Sequence, residues 1–173
     1  ADAAAGDLHL VAAANAVTNT QPLDLAPHLT ANDVVLVKLE LRDAAGGLVS
    51  ENFYWEGRDE AALRALNDLP RGKVQLAASS QRDGAEMEVR VRLQNTSDAS
   101  VLANKLTLLD DKDIRILPAY YSVNYVTLLP GEQREIVIRY PADRAAKIKA
   151  KVALRGWNVV PASVTIEERR TKR

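Results

Sequence analysis

The chain contains no cysteine and only two histidines, His9 and His28, among its 173 residues. The absence of cysteine excludes disulfide bonds, thiolate catalysis and cysteine-ligated zinc. Two histidines without neighbouring ligand motifs are too few for a multi-histidine metal site, and they nearly exclude a histidine-based catalytic triad. We therefore expect no metal ion and no cofactor.

The chain also lacks an excess charge of either sign and any long apolar run. Lys+Arg and Asp+Glu both number 23, so the formal net charge is zero. This balance argues against nucleic-acid binding and against a polybasic membrane protein. No apolar run approaches the ~20 residues that a membrane span needs. Apolar residues still make up 47% of the chain, which is enough for the core of one mid-sized domain or two small ones.

Apolar residues recur mainly with a period of two, which is typical of β-strands. Between Glu86 and Leu93, apolar side chains alternate with Glu and Arg. Polar or glycine-containing turns separate such runs about every ten residues, and this spacing predicts an all-β, immunoglobulin-like sandwich. Strands are predicted at 34–41, 48–55, 73–78, 86–93, 104–109, 125–128, 135–140, 147–154 and 163–166.

One helix-prone segment interrupts the strand pattern and suggests a domain boundary. Leu63, Leu66 and Leu69 fall close to helical spacing, and Pro70 ends the run. We predict that residues 71–166 form a complete Ig-like sandwich, which typically needs ~100 residues. Residues 1–56, with roughly four strands, are then the C-terminal part of a preceding Ig-like sandwich. Residues 57–70 are predicted to be a linker or short helix, and 167–173, which lack apolar side chains, a disordered tail.

Three motifs resemble glycoside hydrolase family 2 enzymes of the β-mannosidase, exo-β-glucosaminidase and mannosylglycoprotein endo-β-mannosidase type. Residues 49–55, VSENFYW, resemble the strand that ends an Ig-like domain in that family. Residues 116–132, ILPAYYSVNYVTLLPGE, resemble a segment of the final Ig-like domain, and 155–158, RGWN, resemble its last strand. Val123 departs from the pattern, because relatives often carry Asp at that position.

The resemblance implies a role within a larger enzyme. In that family the catalytic glutamates lie on a barrel domain, and one or two Ig-like sandwiches follow it. No segment of this chain resembles the barrel, so no catalytic residue is carried over. The resemblance therefore implies a non-catalytic accessory module that packs on and stabilises the barrel of an enzyme acting on β-mannosides or β-glucosaminides. It also implies a periplasmic or extracellular location.

The acidic residues offer an alternative, because retaining glycosidases use two carboxyl groups ~5–5.5 Å apart at a pocket. Two close pairs occur in the sequence, Glu86 with Glu88 and Glu132 with Glu135. We interpret both as solvated surface charge, which is the usual state of acidic side chains. A third acidic group, at 110–113, lacks the Gly and Glu of a calcium loop, and it predicts a polar turn.

Aromatic residues are few, at 5% of the chain, and some must face outward. Adjacent strand residues face opposite sides, so Phe53 and Tyr54 diverge, as do Tyr120 and Tyr121. An outward ring can stack on a sugar or pack on a neighbouring domain, and the preference of Tyr and Trp for interfaces favours packing. The candidate interdomain or glycan contacts are Tyr54, Tyr121, Asn124, Tyr125 and Trp157.

These aromatic residues leave a second function open, that of a free-standing β-sandwich that binds a glycan or a protein. The candidate partners are thus a catalytic barrel domain and an oligosaccharide. Residues 1–56 would also leave strand edges unpaired, and unpaired edges drive association. We therefore expect the isolated chain to dimerise or exchange strands.

Overall fold

A computed structural model describes residues 4–145 and 149–168. The chain divides into two compact units, residues 1–68 and 69–173, and the division falls inside the predicted 57–70 boundary segment. Within the described ranges, no helix has the length and apolar character that a membrane crossing requires.

The first unit is a β-hairpin with short helices. A six-residue helix α1, Ala26–Ala31, precedes strands β1, Val34–Arg42, and β2, Leu48–Gly57, and a 3₁₀ helix, Ala62–Asp68, follows. The sequence predicted roughly four strands before residue 57, and the described part has two. The correction has a local cause, since the segment before α1 lacks the alternating β-branched and aromatic side chains that favour strands.

The β1–β2 turn is held by one aspartate. The Oδ1 atom of Asp43 accepts hydrogen bonds from the backbone amides of Ala45 and Gly47, at 2.9 and 2.7 Å. Gly46 has a φ of +84°, which glycine adopts at little steric cost. No residue between 4 and 68 is buried. The hairpin therefore has no core of its own, and an isolated two-stranded hairpin is at best marginally stable in water.

The second unit is a two-sheet sandwich. Its strands are β3 Val74–Asp83, β4 Glu86–Asn95, β5 Val101–Leu109, β6 Tyr120–Tyr121, β7 Val126–Leu128, β8 Gln133–Pro141, β9 Lys151–Arg155, β10 Ala162–Thr165 and β11 Glu167–Glu168. One sheet has the strand order β10-β9-β5-β7 and the other β11-β3-β4-β8-β6. All neighbouring strands are antiparallel except β11 and β3. A four-residue helix α2, Ala142–Ala145, follows β8.

The core lies between these two sheets and confirms the predicted Ig-like sandwich. On β4, Val89, Val91 and Leu93 are completely buried, as the alternation predicted. They belong to one apolar cluster with side chains of the facing sheet, among them Leu106 and Leu154. Each such side chain contributes about 2 kcal/mol of burial free energy.

The C-terminal segments differ from the sequence prediction in two places. Residues 147 and 148 of the predicted strand 147–154 lie outside the described residues, and β9 begins at Lys151. The predicted disordered tail is wrong for Glu167 and Glu168, which pair in parallel with Ser79 and Ser80 at the edge of β3. Backbone pairing at a sheet edge needs no apolar side chain, so composition did not reveal it. Residues 169–173 lie outside the described ranges.

The neutral net charge conceals a strong asymmetry along the chain. Residues 1–68 carry eleven Asp and Glu against four Lys and Arg, whereas residues 69–173 carry twelve against nineteen. The sandwich unit is therefore distinctly basic, and it favours contact with acidic surfaces.

Candidate functional site

The 155–158 motif contributes a buried asparagine that joins distant segments of the sandwich. Asn158 is 4% exposed. Its Oδ1 atom accepts a hydrogen bond from the amide of Leu102 at 2.9 Å, and its Nδ2 atom donates to the carbonyls of Pro70 and Ser100 at 2.9 and 2.8 Å. All three partners are backbone groups, so the role of this side chain is to fix the fold.

Gly156, two residues before Asn158, lies where there is no room for a side chain. A Cβ atom on Gly156 would lie 2.9 Å from the carbonyl oxygen of Leu102 and 3.1 Å from Oδ1 of Asn104. That Oδ1 atom is a buried side-chain oxygen with no hydrogen-bond partner among the described residues. The Nδ2 atom of Asn104 does donate, to the carbonyls of Val101 and Val126 at 2.9 and 3.0 Å. The motif therefore closes tightly over a bulge at the start of β5.

Two of the predicted contact residues are used by the fold itself. The hydroxyl of Tyr121 accepts a hydrogen bond from the amide of Leu108 at 2.9 Å, and its ring packs against the core. Burial raises the pKa of Tyr121, although the hydrogen bond from Leu108 opposes this shift. This geometry corrects the prediction of Tyr121 as an outward contact, because the neighbouring Tyr120 is the exposed tyrosine, at 65%.

Asn124 completes the edge of β5 in place of a strand residue. Its Oδ1 atom accepts from the amide of Leu106 at 2.8 Å, and its Nδ2 atom donates to the Leu106 carbonyl at 3.1 Å. The side-chain amide thus reproduces both hydrogen bonds of a backbone partner. Asn124 is therefore a structural residue that positions Tyr125, the next residue in the chain.

Tyr125 lies exposed beside two cations of the four-stranded sheet. Val126 pairs with Asn104, which places Tyr125 next to Lys105, and the Lys105 ammonium lies 5.4 Å from the centre of the ring. Lys105 is directly opposite Arg155 in the β5–β9 ladder. Neither cation forms an ion pair with any carboxylate in 4–145 or 149–168.

Trp157 lies at the same end of this sheet. Its backbone amide donates to the carbonyl of Leu102 at 3.0 Å, which is three residues from Lys105 along β5. The residue is 59% exposed and Tyr125 is 62% exposed. We call Lys105, Tyr125, Arg155 and Trp157 the cationic–aromatic patch. Sequence reasoning singled out its aromatic members and missed its cations, although their outward positions on alternating strands were a usable signal.

The remaining predicted contact, Tyr54, lies on β2 of the first unit and is 45% exposed. It stands opposite Val37 in the hairpin. The exposed face around it is largely uncharged, because Leu39 and Leu41 follow at alternate positions of β1. This uncharged face of the two-stranded hairpin is the kind of surface that a larger sheet packs against a second sheet.

The acidic pair at 86 and 88 does not form a two-carboxylate site. Glu88 points to the outer face of its sheet, as predicted, yet it is only 4% exposed. The expectation of a solvated charge is therefore wrong for Glu88, because Arg90 and Arg139 cover it at 2.7 and 2.9 Å. The hydrogen bond from Arg139 is the main cause that lowers the pKa of Glu88, against the opposing effect of burial. A carboxylate held by two arginines in this way is a poor general acid.

The other predicted acidic features also have structural partners. A carboxylate oxygen of Glu132 accepts from the amide of Leu129 at 2.8 Å and closes the preceding turn. Oδ1 of Asp110 accepts from the amides of Lys112 and Ile114, which confirms the predicted polar turn. Within the described ranges, no group of His, Asp and Glu is suited to hold a metal ion.

The chain is similar to exo-β-D-glucosaminidases in both sequence and structure. Residues 52–159 match the family described as the exo-β-D-glucosaminidase Ig-fold domain. The chain is 29% identical to the exo-β-D-glucosaminidase of Arthroderma benhamiae over 146 residues, which is 73% of this chain and 16% of that protein. It is also 29% identical to the Streptomyces avermitilis enzyme over 150 residues, covering 75% of this chain and 17% of that protein.

The crystal structure of the exo-chitosanase CsxA of Amycolatopsis orientalis has the same fold over most of this chain. The TM-score is 0.70 at 25% identity, and the match covers 78% of this chain and 18% of CsxA. The chain thus spans about a sixth of the length of the curated relatives it matches. Because the family match takes in more than half of its residues, this chain belongs to the exo-β-D-glucosaminidase Ig-fold domain family.

Proposed function

We propose that this chain is a non-catalytic accessory region of a family 2 glycoside hydrolase, and that it packs on and stabilises a catalytic barrel. The match of residues 52–159 to an Ig-fold domain family carries the proposal. The small share of each relative that the chain covers supports it. In such an arrangement, the reacting carboxylates belong to another domain of the longer polypeptide.

The carboxylates of the sandwich support this non-catalytic role. Glu88 is neutralised by two arginines, and Glu132 caps a turn. A retaining glycosidase needs one carboxyl with a raised pKa and a second as a free nucleophile. The pKa of Glu88 is instead lowered.

The hairpin unit supports a position after another sandwich. It has two strands, no residue buried between 4 and 68, and an exposed uncharged face around Tyr54. Three or more strands with an apolar face are needed for independent stability. We propose that residues 1–56 complete an Ig-like domain whose other strands precede them in the longer polypeptide.

The substrate proposal follows from the relatives. Their names describe exo-β-D-glucosaminidases, and one, from Lilium longiflorum, is a mannosylglycoprotein endo-β-mannosidase that is 45% identical over 47 residues. We propose that the longer polypeptide acts on β-glucosaminides or β-mannosides and is exported to the periplasm or the medium. Cell fractionation with a cytoplasmic marker enzyme tests the location.

The central experiment compares the longer polypeptide with and without this region. We expect the purified 173-residue chain to release no aryl alcohol from aryl β-glucosaminide or β-mannoside. We expect the longer polypeptide to hydrolyse one of them and to lose thermal stability when the sandwich unit, residues 69–173, is removed and the hairpin is kept. Turnover by the chain alone would overturn the non-catalytic assignment, and unchanged stability after removal would overturn the stabilising role.

The exposed aromatic residues support a second candidate function, that of a sandwich that binds a glycan by itself. Tyr120, Tyr125 and Trp157 are each at least 59% exposed. Affinity electrophoresis of the purified chain in soluble glycans tests this alternative. Retardation that disappears in Tyr125→Ala or Trp157→Ala would favour it.

A further inference from the structure

We propose that the cationic–aromatic patch, Lys105, Tyr125, Arg155 and Trp157, is the surface through which the sandwich docks onto an acidic face of another domain of the longer polypeptide. This inference rests on the proposed function and adds to it the residues and the chemistry of the contact. The partner face supplies at least one carboxylate that lies between Lys105 and Arg155.

The first argument is the unbalanced charge of the β5–β9 ladder. Lys105 and Arg155 are directly opposite each other, and like charges in that relation destabilise a sheet. On the same face of β9, Lys151 is neutralised by Asp113 at 2.8 Å. The described part of the chain thus supplies a carboxylate to Lys151 and none to Lys105 or Arg155. A carboxylate from a partner would convert this repulsion into two attractive contacts.

The second argument is the conformation of Tyr125. Its φ is +61°, in the left-handed region that bulky residues rarely adopt. Asn124 holds the position through hydrogen bonds to Leu106 and accepts from the Tyr125 amide at 3.1 Å. The ring that results is 62% exposed. A costly backbone that presents an exposed ring is typical of recognition sites.

The third argument is the composition of the patch. Tyr, Trp and Arg are the residue types that dominate the binding energy of protein interfaces. Arg155 is the last residue of β9, Trp157 follows it by two residues, and Tyr125 directly precedes β7. Arg155 can form a bidentate contact with a carboxylate, and the Lys105 ammonium already lies over the Tyr125 ring. The patch thus combines two cations with two exposed aromatic residues.

The same charges argue against a glucosamine polymer as the occupant. The amino groups of a glucosamine polymer are positively charged when they are protonated, so Lys105 and Arg155 would repel that form of the polymer. The basic excess of residues 69–173 acts in the same direction. An acidic protein face is the occupant that suits both the two cations and the exposed aromatic residues.

The test measures docking of the sandwich unit, residues 69–173, onto the rest of the longer polypeptide, produced separately and ending at residue 68. This cut leaves the hairpin with the domain that we propose it completes. Isothermal titration calorimetry gives the affinity. We expect Lys105→Glu and Arg155→Glu each to weaken docking about tenfold or more, and raising NaCl from ~0.05 to ~0.5 M to weaken wild-type docking. Lys105→Glu places opposite charges across the ladder, so its urea midpoint should be equal to or higher than that of the wild type. Lys73→Glu makes the same charge change at an exposed position outside the patch and is the matched control.

Each outcome separates the patch from the proposed function. Wild-type docking that Lys105→Glu and Arg155→Glu leave unchanged would overturn the patch and leave the accessory role standing. No wild-type docking, together with unchanged stability of the longer polypeptide after removal of the region, would overturn both. Binding of a chitosan hexasaccharide that is lost in Lys105→Glu, with docking unaffected, would make the patch a glycan site and overturn the inference.

Discussion

The side chain of Asn158 accepts a hydrogen bond from the backbone amide of Leu102, 56 residues earlier in the chain, at 2.9 Å. Together with its contacts to Pro70 and Ser100, this bond joins the beginning of the sandwich, the start of β5 and the segment after β9. The closure of the sandwich thus depends on one buried amide, and this dependence can be measured.

Replacing Asn158 by Ala should lower the free energy of unfolding by about 3 kcal/mol, because it leaves buried backbone groups without partners. Urea unfolding followed by tryptophan fluorescence measures the change. Gln133→Ala, at an exposed position of β8, should change the stability by less than ~0.5 kcal/mol. Equal stability of Asn158→Ala and the wild type would show that water replaces the three bonds without cost.

Two glycine variants separate steric from conformational effects. Gly156→Ala should cost about 2 kcal/mol, because its Cβ would meet the Leu102 carbonyl oxygen at 2.9 Å. Gly131 has open space around it but a φ of +79°, so Gly131→Ala should cost about 1 kcal/mol from backbone strain alone. Both values come from urea unfolding. A smaller loss at Gly156 than at Gly131 would contradict the close packing of the 155–158 motif.

The ion-paired cluster of Glu88, Arg90 and Arg139 predicts that the free energy of unfolding depends on pH. The pKa of Glu88 is lowered from 4.5, mainly by the hydrogen bond from Arg139. The folded state therefore binds the Glu88 proton more weakly than the unfolded state does. The stabilisation is fully present above pH 4.5 and is lost as the pH falls through the folded-state pKa.

Glu88→Gln should consequently be less stable than the wild type at neutral pH, and the difference should shrink below pH 4.5. Unfolding titrations at several pH values measure this convergence. Glu86→Gln, at the neighbouring outward position of β4, is the control, since it forms no ion pair in the described part of the chain. A difference between Glu88→Gln and the wild type that stays constant with pH would show that shape, and not charge, explains the loss.

The exposed hairpin face predicts self-association of the isolated chain. Leu39 and Leu41 are 44% and 56% exposed on the uncharged face of β1, and exposed apolar patches on unpaired strands favour association. Replacing both by Lys should shift the chain towards monomer in sedimentation velocity at high concentration.

The matched control replaces Ile114 and Leu117, which are 61% and 62% exposed in the sandwich unit, by Lys. We expect this control to leave self-association unchanged. A wild-type chain that sediments as a clean monomer would contradict the prediction at the outset.

The alternation of apolar residues predicted the sandwich correctly because strand periodicity is a local property. In β4, Val89, Val91 and Leu93 are buried as their spacing required. The burial of Glu88 was not predictable in this way, since one of its covering arginines, Arg139, lies 51 residues away on β8. The local sequence pattern predicts which face of the sheet a side chain lies on. It does not predict which side chains from distant strands cover that side chain.

The candidate contact residues also divide into those whose position was predictable from the sequence and those whose position was not. Tyr125 and Trp157 are exposed, at 62% and 59%, and the alternation of faces indicated only that some of the aromatic residues must face outward. The inward turn of Tyr121 depends on the β5 backbone at Leu108, and the role of Asn124 depends on Leu106 in the same strand. Neither contact can be predicted from the residue types at Leu106 and Leu108. Both are hydrogen bonds to backbone groups, which are independent of the side chain.

The covered carboxylate on β4 has a consequence for strand register during folding. A shift of β4 by one residue against β8 would move Glu88 into the apolar interior and Val89 out among the arginines. A buried unpaired carboxylate is so costly that this misaligned pairing should be strongly disfavoured. The triad of Glu88, Arg90 and Arg139 therefore helps to specify the register of β4 against β8. This effect on register is separate from the contribution of the triad to the free energy of unfolding.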